Sequence, residues 1–265
     1  MRYGALMAAA FALGAGRAAG QSLAQRVSSA GDGRVQLRFA SRAGVCGDGR
    51  STISGGDHNF MRGDWSSRDA DGEWRRRCEP GPVRVVLRTA NGSVERLSVN
   101  IGGNDSGADV HDLGVVSARD AVSYLLDLAG GASHRVGDDA VLAAVLADSI
   151  TPWPSLITLA RNAQSRDTRE SATFWLGQAA AARVNGTTLF GDHDQADESD
   201  DEAVRGEAIF AISQQPRDES VPVLIRVART NTDPVLRRKA LFWLGQSGDA
   251  RAIDLFSQIL SGAER

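Results

Sequence analysis

Reactive side chains are few and scattered along this chain. The four histidines, His58, His111, His134 and His193, fall on segments that read as loops, and no Gly-x-Ser-x-Gly elbow or His-Glu-x-x-His pair is present to build a nucleophile or a zinc site. Asp105, Asp109, His111 and Asp112 bring three carboxylates and an imidazole close together. That donor set suits a divalent cation, but it reads better as a polar linker between two folded halves. The acidic run over 192–202 fails as a calcium loop, because Ala196 and Ala203 stand where an oxygen ligand and the closing carboxylate belong; a mobile acidic loop is expected there. With no nucleophile, no acid–base pair and no metal set, the chain is expected to be no enzyme and to need no cofactor.

Cys46 and Cys78 are too few for a structural zinc site, which takes four ligands. They stand 32 residues apart, and in an oxidising compartment a disulfide closing that loop contributes about 3 to 4 kcal/mol by the chain-entropy argument. The N-terminus implies such a compartment. Met1-Arg2-Tyr3, a mostly apolar run over 4–16 and Ala18-Ala19-Gly20 make residues 1–20 a secretory signal. The run falls short of the roughly 20 apolar residues that span a bilayer. An exported bacterial protein is expected, periplasmic or secreted, with no transmembrane span in the mature chain.

The 265 residues are 42% hydrophobic and 24% charged, enough apolar content for a sizeable core, and the net charge of −3 argues against a nucleic-acid binder, which needs a basic surplus. Lys239 is the only lysine, so the Gly-Lys pair of a phosphate loop is missing.

Two grammars divide the chain. Residues 34–40, 83–88 and 94–99 alternate polar and apolar side chains, with Asn91-Gly92 between the last two, which predicts strands and a tight hairpin. A further short strand is expected over 72–77. After residue 107 the period becomes about 3.6: Ser117 suits the cap of a helix carrying Ala121, Val122, Leu125, Leu126 and Leu128, and Asp138 or Asp139 suits the cap of the next. The expected class is α+β, with a signal over 1–20, a small antiparallel β domain with one disulfide over 21–112, and an α-solenoid of helical hairpins over 113–265.

That last expectation rests on internal repetition. Residues 154–161 match 222–229, an offset of 68, and at the same offset Arg169, Ala172 and Phe174-Trp175-Leu176-Gly177-Gln178 fall on Arg237, Ala240 and Phe242-Trp243-Leu244-Gly245-Gln246. Asp201, Arg205, Ala208 and Phe210 repeat again as Asp233, Arg237, Ala240 and Phe242 at an offset of 32. Asp233 can cap a helix whose first turn takes Pro234. Leu236, Ala240, Trp243 and Leu244 share a stripe, Gly245 and Gly248 allow the chain to turn, and Asp249 caps the following helix.

Asp233-Pro234-Val235-Leu236-Arg237 through Ala240, Leu244-Gly245 and Gly248-Asp249 resembles the unit of HEAT-like repeats, including the short variant found in phycobilin lyases. The resemblance covers roughly 138–260. It implies stacked helical pairs, each unstable alone, that offer an extended surface to a protein partner. Through the lyase variant it also implies an alternative, a lyase-like or chaperone-like protein handling a prosthetic group. In such a family Arg169, Arg205 and Arg237 link repeats, and second helices line the concave face. Arg161, Arg226 and Arg229 lie on second helices and suit an acidic peptide or a merely solvated face. Phe174, Phe210 and Phe242 recur off the core stripe, and two readings stay open: packing between successive repeats or against the β domain, or an exposed apolar ladder that grips a partner.

Overall fold

Period-two alternation organises the first half. The computed structural model describes residues 21–49, 52, 66–68, 74–76, 79–103, 107, 109–186, 189–190 and 200–262. A short helix, α1 (Leu23–Ser29), opens them, capped by Ser22 and Gln25 in a reciprocal box. Eight strands follow: β1 (Gly33–Phe39), β2 (Cys46–Gly47), β3 (Ser66–Arg68), β4 (Trp74–Arg76), β5 (Glu79–Pro80), β6 (Val83–Ala90), β7 (Ser93–Ile101) and β8 (Val110–Val115). The main sheet has the order β7-β6-β1-β8, and β2-β5 and β3-β4 are small two-stranded pairs. Asn91 and Gly92 take φ of 52° and 74° in the β6–β7 turn, the double positive φ that an Asn-Gly hairpin supplies.

Val35, Leu37 and Phe39 lie opposite Leu87, Val85 and Val83, which in turn face Leu97, Val99 and Ile101. All nine are buried and form one face of the sheet. The sheet is mixed and not antiparallel as expected, because β8 runs parallel to β1. Val110–Val115 is therefore a strand and no linker, and a boundary at 112 cuts through it. As an edge strand with only half-buried or exposed side chains, β8 carries none of the apolar alternation that betrays a strand. Cys46 is not a free thiol; Cys78 lies outside the described residues, and the bridge between them stays a proposal.

The two halves share a continuous hydrophobic core, welded by the segment after β1. Its Arg42 N–H donates to the Leu146 carbonyl at 2.8 Å, and the Asp148 N–H to the Ala40 carbonyl at 2.9 Å. The Arg42 guanidinium donates to the carbonyls of Val145 and Ile150 at 3.2 and 2.8 Å and lies over the Trp153 ring. Burial lowers its pKa, with Asp148 opposing.

The helices are α2 (Ala118–Gly131), α3 (His134–Val145), α4 (Trp153–Asn162), α5 (Arg166–Asn185), α6 (Asp200–Ser213), α7 (Arg217–Thr230), α8 (Pro234–Ser247) and α9 (Ala250–Ser261). Ser117 caps α2 as expected. Asp138 and Asp139 cap nothing, since α3 starts earlier, after Ser133, and both lie inside it. Asp233 and Asp249 accept from the N–H groups of Val235 and Arg251, capping α8 and α9. Gly248 turns the chain with φ of 62°. Gly245 sits inside α8 and serves packing instead of turning.

The 68-residue offset maps α3, α4 and α5 onto α6, α7 and α8. Arg169 and Arg237 occupy equivalent positions and do equivalent work: Arg169 donates to the carbonyls of Ala163 and Gln164 at 2.6 and 3.1 Å, Arg237 to those of Asn231 and Thr232 at 2.9 and 3.2 Å. Each closes the C-terminal end of the helix before it, where carbonyls lack intrahelical partners.

Within each half the first helices stack in parallel, with Gly137 of α3 facing Thr168 of α5 and Gly206 of α6 facing Lys239 of α8. Between the halves the order reverses. Gly248 faces Glu170, Gly245 faces Phe174, and Gly177 faces Leu241, so residue numbers rise on α5 as they fall on α8 and the two helices are antiparallel. The layer runs α3-α5-α8-α6, about a local twofold through Gly177 and Gly245, and not in chain order as successive stacking would have it. In the second layer α9 lies between α4 and α7: Arg161 pairs with Asp254 at 2.7 Å, Arg229 donates to Gln258, and Arg251 donates to the Arg217 carbonyl at 3.0 Å.

A Cβ at Gly177 would lie 3.0 Å from the Gly245 Cα, 3.1 Å from the Leu241 carbonyl oxygen and 3.2 Å from the Phe256 ring, backbone and core that cannot move aside. Gly177→Val is expected to cost about 1 to 3 kcal/mol or more in urea unfolding. Gly206→Ala, which meets only the end of the Lys239 side chain, is expected to be neutral or to stabilise by up to about 1 kcal/mol through helix propensity. Equal losses in both variants would contradict the α5–α8 contact described.

The side-chain hydrogen bond from Arg251 holds the Asp249 carboxyl below the usual carboxylate range, partly opposed by burial and helped by the Arg251 backbone N–H. A carboxylate with a depressed folded pKa stabilises above its unfolded pKa and loses that contribution as pH falls through the folded value. Asp249→Ala is expected to lower stability by about 0.5 to 2 kcal/mol at pH 7, and the gap from the wild type should shrink below about pH 4. Denaturation midpoints at pH 7 and in acid measure it.

Candidate interaction site

The α5–α8 crossing brings the repeated aromatics together. Phe174 meets Trp175 edge-on at 5.2 Å and Phe242 edge-on at 6.2 Å; Phe242 meets Trp243 at 5.0 Å, Trp243 meets Phe210 at 5.1 Å, and Trp175 meets Phe190 at 5.9 Å. Six rings thus form one seam across the two halves, from Phe190 beyond α5 to Phe210 on α6; the three central contacts are edge-to-face, the geometry favoured by the ring quadrupoles, and the two end contacts are tilted. The pairs Phe174-Trp175 and Phe242-Trp243 are equivalents across the local twofold.

The seam grades from core to surface. Phe174 is buried, Phe242 and Trp243 are half-buried, and Phe210 is 47% exposed. Expected as an exposed ladder or as a contact between successive repeats, the three phenylalanines are neither as a set: Phe174 and Phe242 join the two halves, and only Phe210 opens to solvent. The difference comes from neighbours. Phe174 faces α8, whereas the outer flank of α6, with Ala208, Phe210 and Ala211, is exposed. At the other end of the layer, α3 is covered by α2 and by β7 of the sheet.

The arginines assigned to a concave face fare differently. Arg161 and Arg229 fasten α9 from its two sides, through Asp254 and Gln258, so α9 fills the groove an acidic peptide would have needed. Arg226 remains exposed, as does Arg205. Both pairs at α9 are on the surface, where such contacts contribute about 1 kcal/mol or less, so they orient α9 more than they hold it.

The carboxylates near residue 110 do not converge on a cation. Asp109 lies 3.8 Å from the Arg34 guanidinium and Asp112 2.7 Å from that of Arg38, with His111 exposed on β8. Asp105, His58 and His193 lie outside the described residues, as does most of the acidic run 192–202. Among the described residues no group of three or more His, Cys, Asp or Glu side chains is placed to hold a metal ion. A cleft of about 620 Å³ lies between α1 and α2, lined by Leu23, Arg26, Asp120, Tyr124, Asp127 and Leu128 among others and by no tryptophan. Burial pushes the Tyr124 phenol up to about 12, away from acid–base work near neutrality.

Sequence reasoning singled out the phenylalanines but not Trp175, Trp243 or Phe190 as their partners, and took Gly177 for an ordinary repeat position. The exact match of the two Phe-Trp pairs was the available signal. Comparison with known proteins agrees with the repeat: residues 193–264, which include α6 to α9, match the family of HEAT repeats. No curated protein and no solved structure matches the chain significantly. No helix among the described residues is long and apolar enough to cross a membrane.

Proposed function

We propose that this chain is a non-catalytic interaction module, exported to the periplasm or beyond, whose HEAT-like half holds a protein partner on the outer flank of α6. The observation that carries this reading is Phe210. It is a large apolar side chain left exposed at the end of an aromatic seam, on a terminal repeat helix that packs against α7 and α8. Repeat arrays bury an apolar face by stacking and cap their ends with polar surface; the α3 end here is covered and the α6 end keeps Ala208, Phe210 and Ala211 in solvent. A ring pinned against Trp243 loses little entropy on binding, which favours it as an anchor.

Export is supported by the charge and apolar pattern of residues 1–20, and the lack of catalytic motifs by the scattered histidines. The exported protein should begin near Gln21 on amino-terminal sequencing, and an intact Met1 in the exported fraction would remove the signal reading.

Phe210→Ser leaves no cavity in the core, so helicity by circular dichroism is expected to stay unchanged while capture of the partner falls by about tenfold or more, the loss typical of an interface anchor. Arg226→Ala, on α7 and in none of the seam's ring contacts, is expected to leave capture intact. Equal capture by wild type and Phe210→Ser would end this assignment.

A further inference from the structure

The cleft between α1 and α2 plays no part in the proposed α6 surface. Gln21, Leu23 and Arg26 line it from α1 and the residues just before that helix, and Asp120, Tyr124 and Asp127 line it from α2. Spaced by four and then three residues, Asp120, Tyr124 and Asp127 share one face of α2. The other face, with Ala121, Leu125 and Ala129, is buried in the core.

The charges of this cleft do not balance. Asp120 and Asp127 are both exposed, and neither carboxylate has a hydrogen-bond or ion-pair partner among the described residues. Tyr124 stays neutral, since burial pushes its phenol up to about 12. Arg26 is the one basic residue among the described residues that line the cleft, and its guanidinium donates to the Leu113 carbonyl at 2.7 Å. Two carboxylates thus share one guanidinium that is engaged elsewhere. Asp120 stands in the first turn of α2, where a carboxylate suits the helix N-terminus whatever lies opposite. Asp127, about two turns further on, gains nothing from that dipole, and a cation across the cleft would stabilise it.

Export supplies such a cation. If residues 1–20 are a signal removed after Gly20, the backbone nitrogen of Gln21 changes from a neutral amide to an ammonium group. Its place is set by its neighbour: the Ser22 N–H donates to Gln25 Oε1 at 2.9 Å, and Ser22 Oγ accepts from the Gln25 N–H at 3.2 Å, so the chain is pinned one residue from the new terminus. Resting on that reading of the signal, we infer that the Gln21 ammonium docks in the α1–α2 cleft as the counter-ion of Asp120 and Asp127 and clasps α1 to α2. A helix of seven residues is too short to persist alone, and α1 is held by the burial of Leu23 and Val27 and by the Arg26 hydrogen bond. The ammonium adds a further hold that the precursor lacks, because its Gln21 nitrogen carries no charge. Removal of the signal thereby tightens the fold.

The test uses the full exported chain carrying 13C-labelled glutamine, whose Gln21 α-carbon resonance follows the amine. That amine is expected to titrate at about 8.5, above its ordinary value of about 8, and to return to about 8 in the Asp120→Asn, Asp127→Asn double variant with helicity unchanged. A group whose folded pKa is raised stabilises below its unfolded pKa and loses that contribution as pH rises through the folded value. The thermal midpoint of the wild type should therefore exceed that of Asp127→Asn at pH 7, and the gap should shrink above about pH 9. Cyclisation gives a second readout. The free amine of an N-terminal glutamine attacks its own side-chain amide: a bond forms from the amine nitrogen to Cδ, the Cδ–Nε2 bond breaks, and ammonia leaves. Only the unprotonated amine attacks, so docking is expected to slow this loss of ammonia about threefold at pH 7 relative to the double variant, as read by intact mass. Titration at about 8 in both proteins, or equal cyclisation rates, would overturn the clasp and leave the signal reading standing. An exported chain cleaved at another residue would also overturn the clasp alone, and one that begins at Met1 would remove the signal reading with it.

Discussion

Everything in the helical half depends on how closely α5 and α8 approach. With only hydrogen atoms at Gly177 and Gly245, the two backbones come within van der Waals contact in an antiparallel crossing. From it follow the layer order α3-α5-α8-α6, the channel that α9 fills and the meeting of the two Phe-Trp pairs. Repeat arrays ordinarily grow by translation, each unit offering its next neighbour a fresh apolar face. A local twofold does the opposite. It consumes equivalent faces of both halves at once, so growth stops at the centre, and the only ends left are α3, covered by α2 and the sheet, and α6.

That geometry explains why one repeated side chain meets three fates. Phe174 faces the contact and is buried, Phe242 lies at its margin, and Phe210, on the helix outside it, is the seam's exposed end. The surface chemistry of α6 is thus a consequence of where the array ends and of nothing local to the helix.

Arginine supplies most of the polar joints, and its planar fork is why. Arg42 joins the Val145 carbonyl at the end of α3 to the Ile150 carbonyl in the connection to α4, Arg84 joins the carbonyls of Gly49 and Gly102, and Arg169 and Arg237 each bridge two carbonyls after a helix. A single lysine ammonium could not span two fixed acceptors with the same rigidity.

Local code was legible and long-range order was not. Alternation located β1, β6 and β7, Asn91-Gly92 fixed their hairpin, Ser117, Asp233 and Asp249 marked helix starts, and the 68-residue echo announced the repeats, because each depends on neighbours a few residues away. The strand β8 escaped because an edge strand need not alternate. The crossing of α5 and α8 was beyond reach for a deeper reason. Repeats present nearly identical faces, so chain-order stacking and reversed stacking satisfy the same periodicity. What separates them is the close approach that two glycines 68 residues apart permit, and that is settled only when the folded backbones meet.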